Sequence, residues 1–157
     1  MATFETPFDP ACFRFENFSV VISEDANGIT PPTRILQHDQ DFYITVNWEN
    51  QGTCTGMIAG EWHLLLFAES IGPGDEKIHF DPDAHIFDLN PGPAPTYSRT
   101  IRVPAGTLGV AGDHGVSLYR LIVSLTYFDA SGVRMRGPIS VFEDAITIQI
   151  YEEGVTP

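Results

Sequence analysis

The sequence predicts an all-β fold, a single two-sheet sandwich of eight or nine antiparallel strands over residues 1–157. Three observations carry that prediction. Apolar and polar residues alternate along several short stretches, the period of a half-buried strand. Turn signals separate those stretches at regular spacing. Val, Ile, Thr and Phe recur in a chain punctuated by 14 glycines and 12 prolines, a composition suited to strands and turns rather than helices. With 157 residues, 43% of them hydrophobic, the chain can bury a full core as one domain.

The elements follow in order. Phe13 and Phe15 alternate in one phase and Phe18, Val20 and Ile22 in the other, so a bulge or a switch between sheets is expected near Glu16-Asn17. Pro31-Pro32 breaks the chain. Phe42, Ile44, Val46 and Trp48 alternate with Tyr43, Thr45 and Asn47, a strand ended by Asn50-Gln51-Gly52. Glu61 to Glu69 is the next strand. Weaker signals surround Ile78–Phe80 and Ile86–Leu89, and Tyr97 to Val103 runs until Pro104. Val116 to Phe128 is long, and Asp129-Ala130-Ser131-Gly132 turns it back into Val133–Arg136. Ile146, Ile148 and Ile150 close the domain. Asn90 to Pro95 reads as a crossing loop, since neither side of it holds enough strands for its own sandwich.

Composition excludes some functions. Eight basic residues stand against 21 acidic ones, a formal charge of −13, and such a field repels nucleic acid and anionic membranes. No apolar run approaches the length of a spanning helix, so no membrane insertion is expected. The first residues lack a basic and then apolar leader pattern, so a cytoplasmic setting is expected. Cys12 and Cys54 could pair, but in that setting free, partly buried thiols are the default.

The run Ile44-Thr45-Val46-Asn47-Trp48-Glu49-Asn50-Gln51-Gly52-Thr53, followed by Trp62-His63-Leu64-Leu65-Leu66-Phe67, resembles the bacterial immunoglobulin-like domains of the CARDB type. Those carry a strand ending in Asn-x-Gly, a small-residue loop and an apolar strand. Asp113-x-Gly115 with Tyr119 and Leu121 is similar to the tyrosine corner that opens strand F of such sandwiches, although its spacing is two residues too long. The insert from Ile71 to Pro95 is longer than the family usually has. The resemblance implies an immunoglobulin-like strand order and adhesion or scaffolding rather than catalysis.

Candidate chemistry is sparse. His79-Phe80-Asp81-Pro82-Asp83-Ala84-His85 supplies metal-ligand types, with Asp88 and Asn90 as further oxygen donors for calcium. Along one extended strand these ligands spread too far to converge on one ion, and Pro82 argues for an irregular, solvated acidic loop. No nucleophile elbow, phosphate loop, zinc-protease helix or dinucleotide fingerprint is present. His38-Asp39 and Asp113-His114 read as turns, and Cys54 as a loop or core thiol. No enzyme is expected.

The sharper signal is amphipathicity that fails. The strand from Glu61 is apolar at Trp62, Leu64, Leu66 and Ala68, yet its other face adds Leu65 and Phe67. The strand from Val116 is apolar at Tyr119, Leu121, Val123 and Leu125, yet its other face adds Leu118 and Ile122. In the immunoglobulin-like order these are strands C and F, neighbours in one sheet, so Leu65, Phe67, Leu118 and Ile122 share an outer face. Burying four such side chains is worth on the order of 6–10 kcal/mol. Cover is therefore expected, from the insert, from an N-terminal arm bearing Phe4 and Phe8, from Val141-Phe142, or from a protein partner or second copy with Arg134 and Arg136 at its rim. The sequence thus points first to a non-enzymatic structural or interaction module, a subunit or adaptor of a larger assembly. A ligand-binding module, for carbohydrate or calcium through residues 79–90, is the alternative.

Overall fold

Ten strands alternate with turns in the computed structural model, which describes residues 2–27, 31–72, 78–80, 86–89, 93–110, 115–131, 133 and 139–153. They are β1 (Thr3–Glu5), β2 (Arg14–Ser23), β3 (Ile35–Gln37), β4 (Phe42–Gln51), β5 (Gly60–Ser70), β6 (Ile78–His79), β7 (Ile86–Asp88), β8 (Thr96–Val103), β9 (Val116–Asp129) and β10 (Ser140–Tyr151). One sheet has the order β2-β4-β8. The other runs β1-β10-β9-β5, with β6 and β7 on the far edge of β5 and β3 against the end of β10. All pairings are antiparallel except β3 with β10.

This is the expected antiparallel immunoglobulin-like sandwich. β4 and β8 hold positions B and E, while β5, β9 and β10 hold C, F and G. β6 and β7 run in one direction along one edge of β5, so they form a single interrupted strand, and the strand count is then nine. The first long strand pairs with β4 and the chain then crosses, through β3, to the other sheet.

The sheets meet over alternating side chains. Phe42, Ile44, Val46 and Trp48 of β4 are buried, as are Trp62, Leu64, Leu66 and Ala68 of β5 and Tyr119, Leu121, Val123 and Leu125 of β9. Trp62 lies at the centre of an aromatic cluster. Its ring centroid is 5.5 Å from Phe15, 6.3 Å from Trp48, 6.4 Å from Tyr97 and 6.0 Å from Tyr127. Antibody domains pack the corresponding Trp on a disulfide between strands B and F. Here rings do that work, each pair adding about 0.5–1.5 kcal/mol beyond its area.

Two local devices shape the sandwich, one in each sheet. The phase flip in β2 is a bulge: pairing with β4 shifts between Glu16 and Ser19, and Asn17 takes a φ of 54°. Asn tolerates that left-handed conformation better than most residues. At the other end, Tyr119 at the start of β9 donates its hydroxyl to the Gly109 carbonyl at 2.7 Å, tying the preceding loop to the core.

The cysteines correct the expectation of free thiols. Cys12 and Cys54 form a disulfide with their Cα atoms 4.8 Å apart. The Asp9 carbonyl accepts the N–H groups of Cys12 and Phe13, closing a turn. Thr53 and Cys54 then donate to the carbonyls of Ala11 and Cys12 at 3.0 and 2.8 Å. Gly52, with a φ of 122°, lets the two segments touch, since a Cβ there would overlap the Cys12 carbonyl oxygen. The turn at Asp129 forms as expected: its carboxylate accepts the N–H groups of Ser131 and Val133 at 2.9 Å each. The strand expected to continue to Arg136 lies outside the described residues, as do Arg134 and Arg136 themselves.

Candidate functional site

β5 and β9 lie side by side in the larger sheet, with Leu65 opposite Ser124, Phe67 opposite Ile122 and Ala68 opposite Leu121. That register gives the two strands common faces. Trp62, Leu64, Leu66, Leu121, Val123 and Leu125 point into the sandwich, so Leu65, Phe67, Leu118 and Ile122 point out of it. Leu65, Phe67 and Ile122 are half-buried by their neighbours, and Leu118 is 42% exposed.

The neighbouring strands enlarge this surface. Phe142 of β10 pairs with Ser124, Ile86 of β7 with His63, and Ile35 of β3 with Gln149, itself opposite Leu118. Of the nine large apolar side chains exposed among the described residues, five lie on this one face: Ile35, Ile86, Val116, Leu118 and Phe142. The outer face of β2-β4-β8 holds none of them. It is a polar lattice in which Thr45 bonds Thr100 at 2.9 Å and Arg102 donates to Asp41 at 2.7 Å.

The described candidates for self-cover lie elsewhere. Phe4 stacks on Phe15 at 5.7 Å and meets Phe18 edge-on at 6.2 Å, closing the side of the sandwich between β1 and β2. Phe8 packs near Phe13 at 6.3 Å. Val141 is buried in the core, and Phe142 belongs to the outer face itself. The described parts of the insert, β6 and β7, widen the sheet instead of crossing it.

Charge around the face is mostly acidic. Glu61 and Asp88 sit opposite one another, Glu69 faces Arg120, and Glu5 faces Ser140. His63 stacks on Phe128 with centroids 3.9 Å apart, and its Nε2 lies 3.1 Å from a Glu61 carboxylate oxygen. Between β1, β10 and β9 the face dips into a hollow of about 300 Å³. Thr3, Ser124, Thr126 and Ser140 line it with Glu5, and Phe142 forms a wall.

Other sequence candidates are not assembled. Asp81, Asp83, His85 and Asn90 lie outside the described residues, as do Asp113 and His114. His79 pairs through its backbone with Phe67, and Asp88 with Glu61. Among the described residues no three His, Cys, Asp or Glu side chains cluster as metal ligands. His38 holds a turn: its Nδ1 lies 2.9 Å from the Leu108 carbonyl oxygen and its own carbonyl accepts the Gly106 N–H. No helix among them is long and apolar enough to cross a membrane.

One feature escaped the sequence reading. Beside the β2 bulge, Asn17, Asn47, Glu49, Thr96 and Ser98 line a groove of about 390 Å³ on the outer face of the smaller sheet. Asn17 Nδ2 donates to Glu49 Oε2 at 2.8 Å, and Gln51 Nε2 donates to Glu49 Oε1 at 2.6 Å. These bonds hold the Glu49 carboxyl below its usual range. The phase flip at Glu16-Asn17 was the available signal, but it marks a bulge without saying what the bulge overhangs. Fold and surface define a two-sheet sandwich with one apolar and one polar exterior. No protein-family model matches the chain, and neither does any curated protein.

Proposed function

We propose that the chain is a non-enzymatic interaction module that docks a protein partner on the outward face of β1-β10-β9-β5. The observation that carries this reading is the concentration of exposed apolar side chains on that face while the opposite exterior is polar. An uncovered apolar patch of this kind marks a binding surface in soluble proteins.

The partner's chemistry follows from charge. Glu5, Glu61, Glu69 and Asp88 fringe the apolar centre, and the whole chain carries −13. A second copy would bring the same field to the same face, so self-association is opposed. The fitting partner is a protein with an apolar patch fringed by Lys or Arg. The Glu5 hollow, with its four hydroxyl-bearing neighbours and aromatic wall, suits one inserted basic side chain.

The test uses purified protein and two variants, Leu65→Lys and Ile122→Lys. Light scattering is expected to give a monomer for all three. Partners captured by the parent are to be purified and rebound; at least one with a basic fringe is expected to bind the parent and to bind both variants about tenfold or more weakly, with melting temperatures unchanged. A dimer dispersed by the variants would replace the partner with a second copy. Equal rebinding by parent and variants would remove the face from the reaction.

A further inference from the structure

The groove beside the β2 bulge lies on the smaller sheet, away from the docking face. We propose that it is a binding site for a neutral saccharide, recognised through its hydroxyl groups by Asn17, Asn47, Glu49, Thr96 and Ser98.

The first support is backbone conformation. Two non-glycine residues with positive φ occur among the described residues: Asn17 at 54° and Ala94 at 50°. Asn17 lines the groove, and Ala94 stands two residues before Thr96, which lines the facing wall. Such conformations persist where the surrounding structure imposes them, and they gather at binding sites. Ala has a Cβ but no polar side-chain group to offset the left-handed cost, so the loop at Ala94 is held by its neighbours; the Pro95 carbonyl accepts the Asn50 N–H at 3.1 Å.

The second support is donor and acceptor chemistry. The bond from Asn17 leaves that amide one N–H and a carbonyl oxygen. Glu49 accepts one bond at each oxygen and keeps lone pairs on both. Asn47 contributes a second amide beside Ser19, and Thr96 and Ser98 contribute hydroxyls. An amide beside a carboxylate matches vicinal hydroxyls, each of which donates and accepts.

The third support is exclusion. Among the described residues no Lys or Arg lines the groove, and with the chain at −13 an anionic ligand is repelled. The lining is about equally polar and apolar, which suits the hydroxyls and C–H faces of a sugar ring. Beneath, the Trp48 and Tyr97 rings stack 4.9 Å apart at an interplanar angle of 7°, a rigid floor that keeps the wall groups in place. The volume falls within the range of small-molecule sites.

The experiment is a two-dimensional amide NMR titration with cellotriose, maltotriose and chitotriose, each to about 10 mM, a range suited to weak binding. At least one is expected to give saturable shifts at Asn17, Asn47 and Ser98. The variants Asn47→Ala and Ser98→Ala, with parental melting temperatures, should each bind it about fivefold more weakly. No localised shift with any of the three, or shifts that neither variant weakens, would overturn the proposal. The Lys variants of the apolar face should titrate like the parent, which keeps this result separate from that of the docking surface.

Discussion

Asn50 closes the buried row of β4, fully inside the sandwich, and among the described residues neither its amide nitrogen nor its amide oxygen has a hydrogen-bond partner. Such a group carries its desolvation cost uncompensated. Asn50→Val keeps the strand's alternation and removes both orphaned atoms, so it is expected to raise stability by about 1 kcal/mol in urea unfolding. A loss of similar size would mean that the amide has a partner in solution. The same strand shows how much single residues reveal in sequence. Phe42, Ile44, Val46 and Trp48 were legible as core because alternation alone decides their side. Cys12 and Cys54 were not, because their pairing depends on the turn at Gly52, where a missing Cβ lets two distant segments touch.

At the scale of elements, the N-terminal segment is strapped to the β4–β5 connection by that disulfide, across a sequence separation of 42. Beyond it the segment is held by a few backbone bonds, by β1 at the edge of the larger sheet and by Phe13 in the core. Replacing both cysteines by serine is expected to lower unfolding free energy by about 2–4 kcal/mol, and reductant should cost the parent a similar amount. Equal urea midpoints with and without reductant would contradict the strap. The bulge in β2 and the two-faced strands β5 and β9 were both readable, since each is a departure from period-two alternation. The interrupted strand of β6 and β7 was readable only as two weak signals. What joins them is their shared edge on β5, a long-range pairing that local pattern does not encode.

Over the whole molecule, acidic groups fix the response to pH. Asp41 accepts the Ala105 N–H and the Arg102 guanidinium, and Asp129 accepts the Ser131 hydroxyl and the Val133 N–H. With Glu49, these carboxyls are held below their usual values of 3.8 for Asp and 4.5 for Glu. A lowered folded-state pKa adds stability that is complete above the unfolded value and is withdrawn as protons bind below it. Unfolding free energy measured by urea is therefore expected to fall from pH 5 toward pH 3, as these three carboxyls protonate. A flat profile there would contradict these hydrogen bonds. Neither exterior was fully legible from sequence: Leu65, Phe67, Leu118 and Ile122 announced the apolar face, whereas the polar groove needs three strands and a bulge in register.

The proposed exposure of the larger sheet's outer face is most directly tested by solvent relaxation enhancement of methyl NMR signals, using a neutral gadolinium chelate on the isolated protein. The methyls of Ile35, Ile86, Val116 and Leu118 should relax strongly, those of Ile122 and Leu65 to an intermediate degree, and those of Leu64, Val123 and Ile148 hardly at all. If Leu118, Ile122 and Leu65 are as protected as Leu64, the face is already covered by its own chain and offers no docking surface.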